Sequence, residues 1–255
     1  MKPVHAAVAL TATILAACAA VAPTPGPSEV TVISAGAVKT AFTEASGAWE
    51  RRSGNKVSAT FSPAGELRKR VSAKEIADVL IVPADIFGEV AAAVDVSTRR
   101  DLGVVAMGAA VKKGAPVPDI STSAALKRTL TEAKSLTYMD PTRGTSGKHF
   151  DEQVLPKLGI RDAVRAKATL GDGGFIAEKV ARGEVEIAFH QMTEMIPVQG
   201  VTIVGPLPGE LQKLTVYSGA VMKDAKNPVQ ARALLDYLVS VEGRKAFLDR
   251  GFTAP

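Results

Sequence analysis

The residues best placed to do chemistry are small and polar and sit in short turns. These are Ser34-Ala35-Gly36-Ala37, Ser62-Pro63-Ala64-Gly65, Asp140 to Gly147, Gly171-Asp172-Gly173-Gly174 and Phe189-His190-Gln191-Met192. Small side chains let a ligand approach the main chain. A turn that opens a helix also presents free N–H groups with partial positive charge, worth about 0.3–1 kcal/mol toward an anion. Several such ends converging would hold an anion without a formal countercharge. Arg143, Lys148, His149 and Lys39 stand near these turns, and each could add a charge-assisted bond of about 1.5–3 kcal/mol. For Arg143 and Lys148 an exposed, solvated position competes evenly with that role. Lys39, in a first helical turn, reads as solvated. Asp140 reads as a residue that pins its own loop, because a carboxylate repels an anion.

Enzyme motifs fit these turns poorly. In Gly144-Thr145-Ser146-Gly147-Lys148-His149 the lysine is followed by histidine and no glycine lies five positions before Gly147, so a phosphate loop is excluded. The same stretch lacks the last glycine of a nucleophile elbow. Gly171-Asp172-Gly173-Gly174 fails to complete a dinucleotide fingerprint because position 176 is isoleucine. Ser53-Gly54-Asn55-Lys56 reads as a solvated turn. The chain has three histidines, and His5 lies at the very N-terminus, which leaves a histidine-based metal site little to draw on. No metal, cofactor or catalysis is therefore expected. The rival is an exported hydrolase or transferase using Ser146 with His149 or His190.

The turns need a scaffold, and the hydrophobic pattern supplies one. Val30 to Ser34 is a β-branched run, followed at helical spacing by Val38, Ala41, Phe42, Ala45 and Trp49, the last read as core. The same unit returns at Val57 to Phe61 with the helix that carries Leu67 and Val71, and at Asp78 to Val82 with an alanine-rich helix through Val94. Serial βα units imply a mostly parallel sheet flanked by helices. Leu102 to Val111 reads as a long strand, and a helix capped by Ser121 or Ser123 follows. Strands are then expected at Leu136 to Met139, Ala166 to Leu170, Val185 to Phe189 and Leu214 to Met222. Helices are expected over Ser146 to Leu158, Ile176 to Arg182, Pro228 to Leu238 and Val241 to Leu248. Two long strands around a middle block imply two lobes, the first from 29–108 and 215–255 and the second, inserted, from 109–214.

Val30 to Phe42, Phe61 to Val71, Ala77 to Val82, Asp140 to Phe150, Val180 to Gln191 and Gly251-Phe252-Thr253 resemble, in order, segments of the periplasmic molybdate-binding proteins. Arg182 to Ile187 and Val204 to Pro208 mark a divergent branch. The resemblance implies the type II periplasmic-binding fold, with two α/β lobes joined by two crossing segments. It implies a monomeric receptor that closes on a small anion and delivers it to an ABC transporter permease. Where the family places two serines and a tyrosine on the oxyanion, this sequence has Ala37, Ala64 and Gln191, while Ser146-Gly147 matches the third turn. Losing two neutral hydrogen bonds costs roughly one to two decades of affinity. The expected ligand-binding residues are Gly36, Ala37, Ala64, Gly65, Arg143, Ser146, Gly147, Gly174, His190 and Gln191. The expected cargo is a molybdate- or tungstate-like oxyanion, with an organic carboxylate, or a sensing role toward a membrane partner, as alternatives.

Composition agrees with export and with a soluble core. The chain is 46% hydrophobic and 22% charged over 255 residues. Ala6 to Ala17 is uncharged, follows Lys2 and His5, and is shorter than the ~20 residues a spanning helix needs. Residues 1–17 therefore read as a signal peptide, and Leu15-Ala16-Ala17-Cys18 resembles a lipobox. Cys18 is the single cysteine and the candidate lipidation site, which gives a periplasmic or extracytoplasmic protein whose membrane contact is that anchor. The proline-rich stretch to Ser28 reads as a tether over 18–28. Scattered basic residues and 5% aromatics exclude nucleic acid as a partner.

Overall fold

In a computed structural model the structure describes residues 28–255. The signal segment, Cys18 and the tether up to residue 27 lie outside the described residues. The β-branched runs become strands and the 3.6-period runs become helices. Strand β1 (Glu29–Ala35) lies parallel between β2 (Lys56–Ser62) and β3 (Val79–Pro83), with helices α1 (Lys39–Ser53), α2 (Ala64–Ser72) and α3 (Phe87–Val90) following in turn. After β4 (Val94–Lys112) come α4 (Ser123–Glu132), β5 (Leu136–Met139), α5 (Thr145–His149), α6 (Leu155–Leu158), α7 (Arg161–Arg165), β6 (Ala168–Gly171), α8 (Glu178–Arg182), β7 (Ile187–Gln191), α9 (Met192–Met195) and β8 (Val201–Pro206). Then β9 (Leu214–Met222), α10 (Pro228–Leu238) and α11 (Val241–Asp249) close the chain.

The strand order is β2-β1-β3-β9-β4-β7-β5-β6, with β8 also on β4. Strand β4 serves two sheets. Its first part pairs antiparallel with β9 as far as Ala106, and from Met107 onward it pairs antiparallel with β7 and β8. Each sheet has its own core. Phe42, Leu67, Ile81, Leu234 and Phe247 pack in one, and Leu126, Tyr138, Phe150 and Phe189 in the other. A smaller cluster of Val180, Ala188 and Met195 covers the opposite face of the second sheet. The molecule is thus two α/β lobes, and the C-terminal helices return to the first.

Some elements depart from the sequence pattern. Strand β4 begins at Val94 instead of Leu102, because its first half is a sheet edge whose polar Asp95 and exposed Ser97 and Arg99 hide the strand signal. The alanine-rich helix expected before it forms as successive short helical turns over 84–93. The unforeseen β8 contains Gly205 and Pro206, which an edge strand tolerates. Thr122, not Ser121 or Ser123, caps α4, its hydroxyl accepting from Ala125 N at 3.1 Å. Strand β7 runs on through His190 and Gln191, which pair with Gly108 and Met107 of β4, so both lie in the sheet instead of a turn beyond it.

The expected helix from Ser146 to Leu158 forms with a π-helical turn, Phe150–Val154, between α5 and α6. Asp151 on that turn is fully buried and accepts hydrogen bonds from Tyr138, Arg161 and Arg165. Burial pushes its carboxyl up, but the bonds from Arg165, Arg161 and Tyr138 outweigh that and hold it at about 2. Asp151→Asn should therefore cost about 2–3 kcal/mol in urea denaturation at pH 7. That is below the usual loss for a broken buried pair, because Arg161 and Arg165 are 38% and 46% exposed and can turn to water. A carboxyl with a depressed pKa stabilises above its unfolded value and loses that effect as pH falls through its folded one. Wild-type stability should drop between about pH 4 and 2 more steeply than that of the variant.

Candidate functional site

The carboxyl ends of the strands in the two lobes face one cavity of about 130 Å³. The first lobe contributes Ala35, Gly36 and Ala37 after β1, Phe61 to Ala64 after β2, Lys39 from α1 and Tyr217 from β9. From the second come Met139 and Gly144 to Ser146 after β5, Gly173 to Phe175 after β6, and His190, Gln191 and Glu194 at the end of β7. This is where open α/β sheets place ligands.

On the wall lies a line of three polar side chains. Ser146 Oγ is 3.0 Å from His190 Nδ1, and His190 Nε2 is 3.2 Å from Glu194 Oε2. All three are nearly enclosed, at 5%, 3% and 7% exposure. The Glu194 carboxylate favours a proton on Nε2, which leaves Nδ1 to accept from the Ser146 hydroxyl. Glu194 acts on the ring as a close charge: Nε2 has no aligned hydrogen-bond acceptor among the described residues. The carboxylate also reaches the first lobe. A Cβ placed on Gly36 would lie 2.8 Å from Glu194 Oε1, so the missing side chain leaves the carboxylate room to come this close.

Around that line the wall mixes one cation with neutral donors. Lys39 holds its ammonium 6.0 Å from the Phe61 ring centre and 5.5 Å from that of Phe175, spanning the two lobes. It is exposed, as its place in a first helical turn implied, and stands over aromatic faces on the cavity wall. Among the described residues it is the one lysine or arginine on the cavity wall. Replacing it with methionine should weaken binding of a carboxylate ligand about ten- to a hundredfold, measurable by isothermal titration calorimetry. Burial, then the Glu194 charge, push the Tyr217 phenol well above its ordinary value, so it stays protonated. Sequence comparison had placed Gln191 where the family has tyrosine, and Tyr217 returns a phenol to the cavity from a different strand. Gln191 itself donates to Thr215 Oγ1 at 3.1 Å.

Of the expected set, Gly36, Ala37, Ala64, Ser146, Gly174, His190 and Gln191 share this cavity. Arg143, Gly65 and Gly147 do not line it. Arg143 is exposed on an outer groove with Arg68, Glu89 and Lys148, because its main chain is turned inward: Arg143 O accepts from Gly65 N at 2.8 Å, which also occupies the Gly65 N–H. Gly147 is buried beneath Met139. Lys148 is exposed. His149 Nε2 is 2.8 Å from Leu211 O, and burial pushes its imidazole below the usual value, so it is a structural group and Ser146 has His190 as its partner. Asp140 pins its loop as expected, accepting from Thr142 N at 2.8 Å. Ser34 is buried and donates to Ala35 O, while Ser62 lines the cavity and accepts from Arg70. Glu194, Phe175 and Tyr217 carried no local signal. Glu194 stands four residues after His190, a spacing that becomes meaningful only once the strand is known to turn there into α9.

Residues 30–253 match the family described as bacterial extracellular solute-binding protein. The chain belongs to that family. This solute-binding protein is 34% identical over 258 residues to an aconitate isomerase of Pseudomonas sp., covering 98% of this chain and 97% of the relative. It is 26% identical to the molybdate-binding protein ModA of Escherichia coli K12, with 88% and 89% covered. In fold it is similar to the periplasmic molybdate-binding protein of Azotobacter vinelandii, with TM-score 0.75 and 14% identity, covering 89% of this chain and 99% of that one. The solute-binding fold and its divergence from the molybdate receptors are thereby shared with known proteins.

Proposed function

We propose that the cavity holds a small polycarboxylic acid of the aconitate class and that His190 moves a proton along it, so that the chain isomerises the acid as well as binding it. The observation that carries this reading is the buried Ser146–His190–Glu194 line on the cavity wall. A receptor for a bare oxyanion gains nothing from a base backed by a carboxylate. Proton transfer at a carbon beside a carboxylate requires both. A methylene C–H gives its proton to His190 Nδ1 by way of the Ser146 hydroxyl that Nδ1 accepts from, as its electron pair forms the new double bond. The old double bond then accepts a proton at its far carbon, so the change is a rearrangement without a co-reactant. Lys39 and the N–H groups of the turns lie where they stabilise charge that develops on the neighbouring carboxylate.

The isomerase named among the relatives, matched over nearly the full length of both chains, supports the same class.

Export is supported by the uncharged run before Cys18 and by the family, and lipidation at Cys18 belongs to this proposal. A second reading, capture of the same acid for an ABC transporter permease, is favoured by the family match and the likeness to ModA. The test is proton NMR of the mature protein with cis- or trans-aconitate in D2O. Interconversion with deuterium entering the methylene carbon is the expected result. Binding without turnover would leave the receptor reading, and binding of molybdate in preference to carboxylates would overturn both.

A further inference from the structure

The cavity has opposite charges on its two sides, and this sets what can enter. Lys39 stands between Phe61 and Phe175, while Glu194 projects from the second lobe onto the main chain of Gly36 at the first lobe's opening turn. That turn runs directly into α1, so it is the start of a long helix and the natural seat for an anion. A carboxylate already reaches it.

We infer that Glu194 is the specificity-determining residue that excludes compact tetrahedral oxyanions from this cavity and admits acids that can turn an uncharged carbon toward it. The inference rests on the polycarboxylate reading above. Molybdate or sulfate presents negative charge in every direction, so at the first-lobe turn it faces Glu194 at close range. With an effective dielectric constant of ~20 that repulsion is worth about two to three decades of affinity. An extended acid escapes it, because its carboxylates lie toward Lys39 and the turns at Ser62 to Ala64 and Gly144 to Ser146 while its carbon chain faces Glu194 and His190. Ala37 and Ala64, which add no hydroxyl for an oxyanion, act in the same direction. A repulsive group set against the wrong ligand is a common route to selectivity.

The experiment compares wild type with Glu194→Gln and Glu194→Asp by titration calorimetry against molybdate, sulfate and trans-aconitate, with circular dichroism to confirm folding. Glu194→Gln keeps the shape and removes the charge, and should bind molybdate or sulfate at least about tenfold more tightly than wild type. Glu194→Asp keeps the charge and should refuse both. A folded Glu194→Gln protein that still refuses oxyanions while wild type binds aconitate overturns this inference and leaves the polycarboxylate reading standing. An equal gain in Glu194→Asp overturns it too, by assigning the effect to space and not charge. Wild type that prefers molybdate to aconitate overturns the polycarboxylate reading itself. Should the glutamine variant not fold, Glu194→Ala is set against Glu194→Asp: a gain for alanine alone supports the inference, and an equal gain in both overturns it.

Discussion

Replacing His190 with glutamine should lower the rate of aconitate interconversion by about 10²- to 10⁴-fold, the usual contribution of a positioned general base. Glutamine preserves much of the volume and a polar atom toward Ser146, but it cannot take a proton from carbon. Because the ring is nearly enclosed and held between Ser146 and Glu194, the backbone of β7 has no reason to move, and its pairing with β4 stays intact. KM should change only a few-fold, since Lys39 and the turns that hold the carboxylates are untouched. Steady-state kinetics separate the two effects. A parallel fall in affinity and rate would make His190 a binding group, and an unchanged rate would remove it from the chemistry.

The second large effect is expected at Gly147, which touches no ligand. A Cβ there would stand 1.9 Å from Met139 O and 2.6 Å from Met139 C, in the main chain of β5. Strand β5 is held on both sides by β6 and β7, so it cannot yield. Gly147→Ala must push the start of α5 away from the sheet. The overpacking should cost at least about 3 kcal/mol in thermal or urea unfolding and carry Ser146 off His190. Loss of stability with turnover retained in the folded fraction would show that Ser146 has no part in placing the ring.

These effects were unequally legible in the sequence. The sites of the turns were readable, because hydrophobic period and small-residue punctuation are local properties, and both repeat from β1 to β3 and again from β5 to β7. That a strand should lead into Ser146-Gly147 and another into His190 was also readable. The identity of a charged contact was not. Arg143, in the densest polar loop, looked like the anion's partner, yet its main chain faces the first lobe and its side chain faces water. Lys39 is exposed as its position implied, but its nearest neighbours in sequence say nothing about Phe175, which arrives from the other lobe and sets it on the cavity wall. Strands β8 and the first half of β4 were hidden for a related reason: edge strands carry the polar residues, glycine and proline that local rules assign to loops.

The sequence by itself determined the βα alternation, the positions of the glycine-rich strand ends and the resemblance to a family of clamps, since each depends on residues within one or two elements. Tertiary structure alone decided the chemistry of the cavity. It brought Ser146 to His190 across 44 residues, set Glu194 against Gly36 of the opposite lobe, and moved Tyr217 to a wall where Gln191 had seemed to stand in for a phenol. The reason is physical. A proton-transferring site depends on distances of about 3 Å between groups on different strands. Those distances follow from strand order and register, to which long-range pairing contributes everything and local pattern nothing.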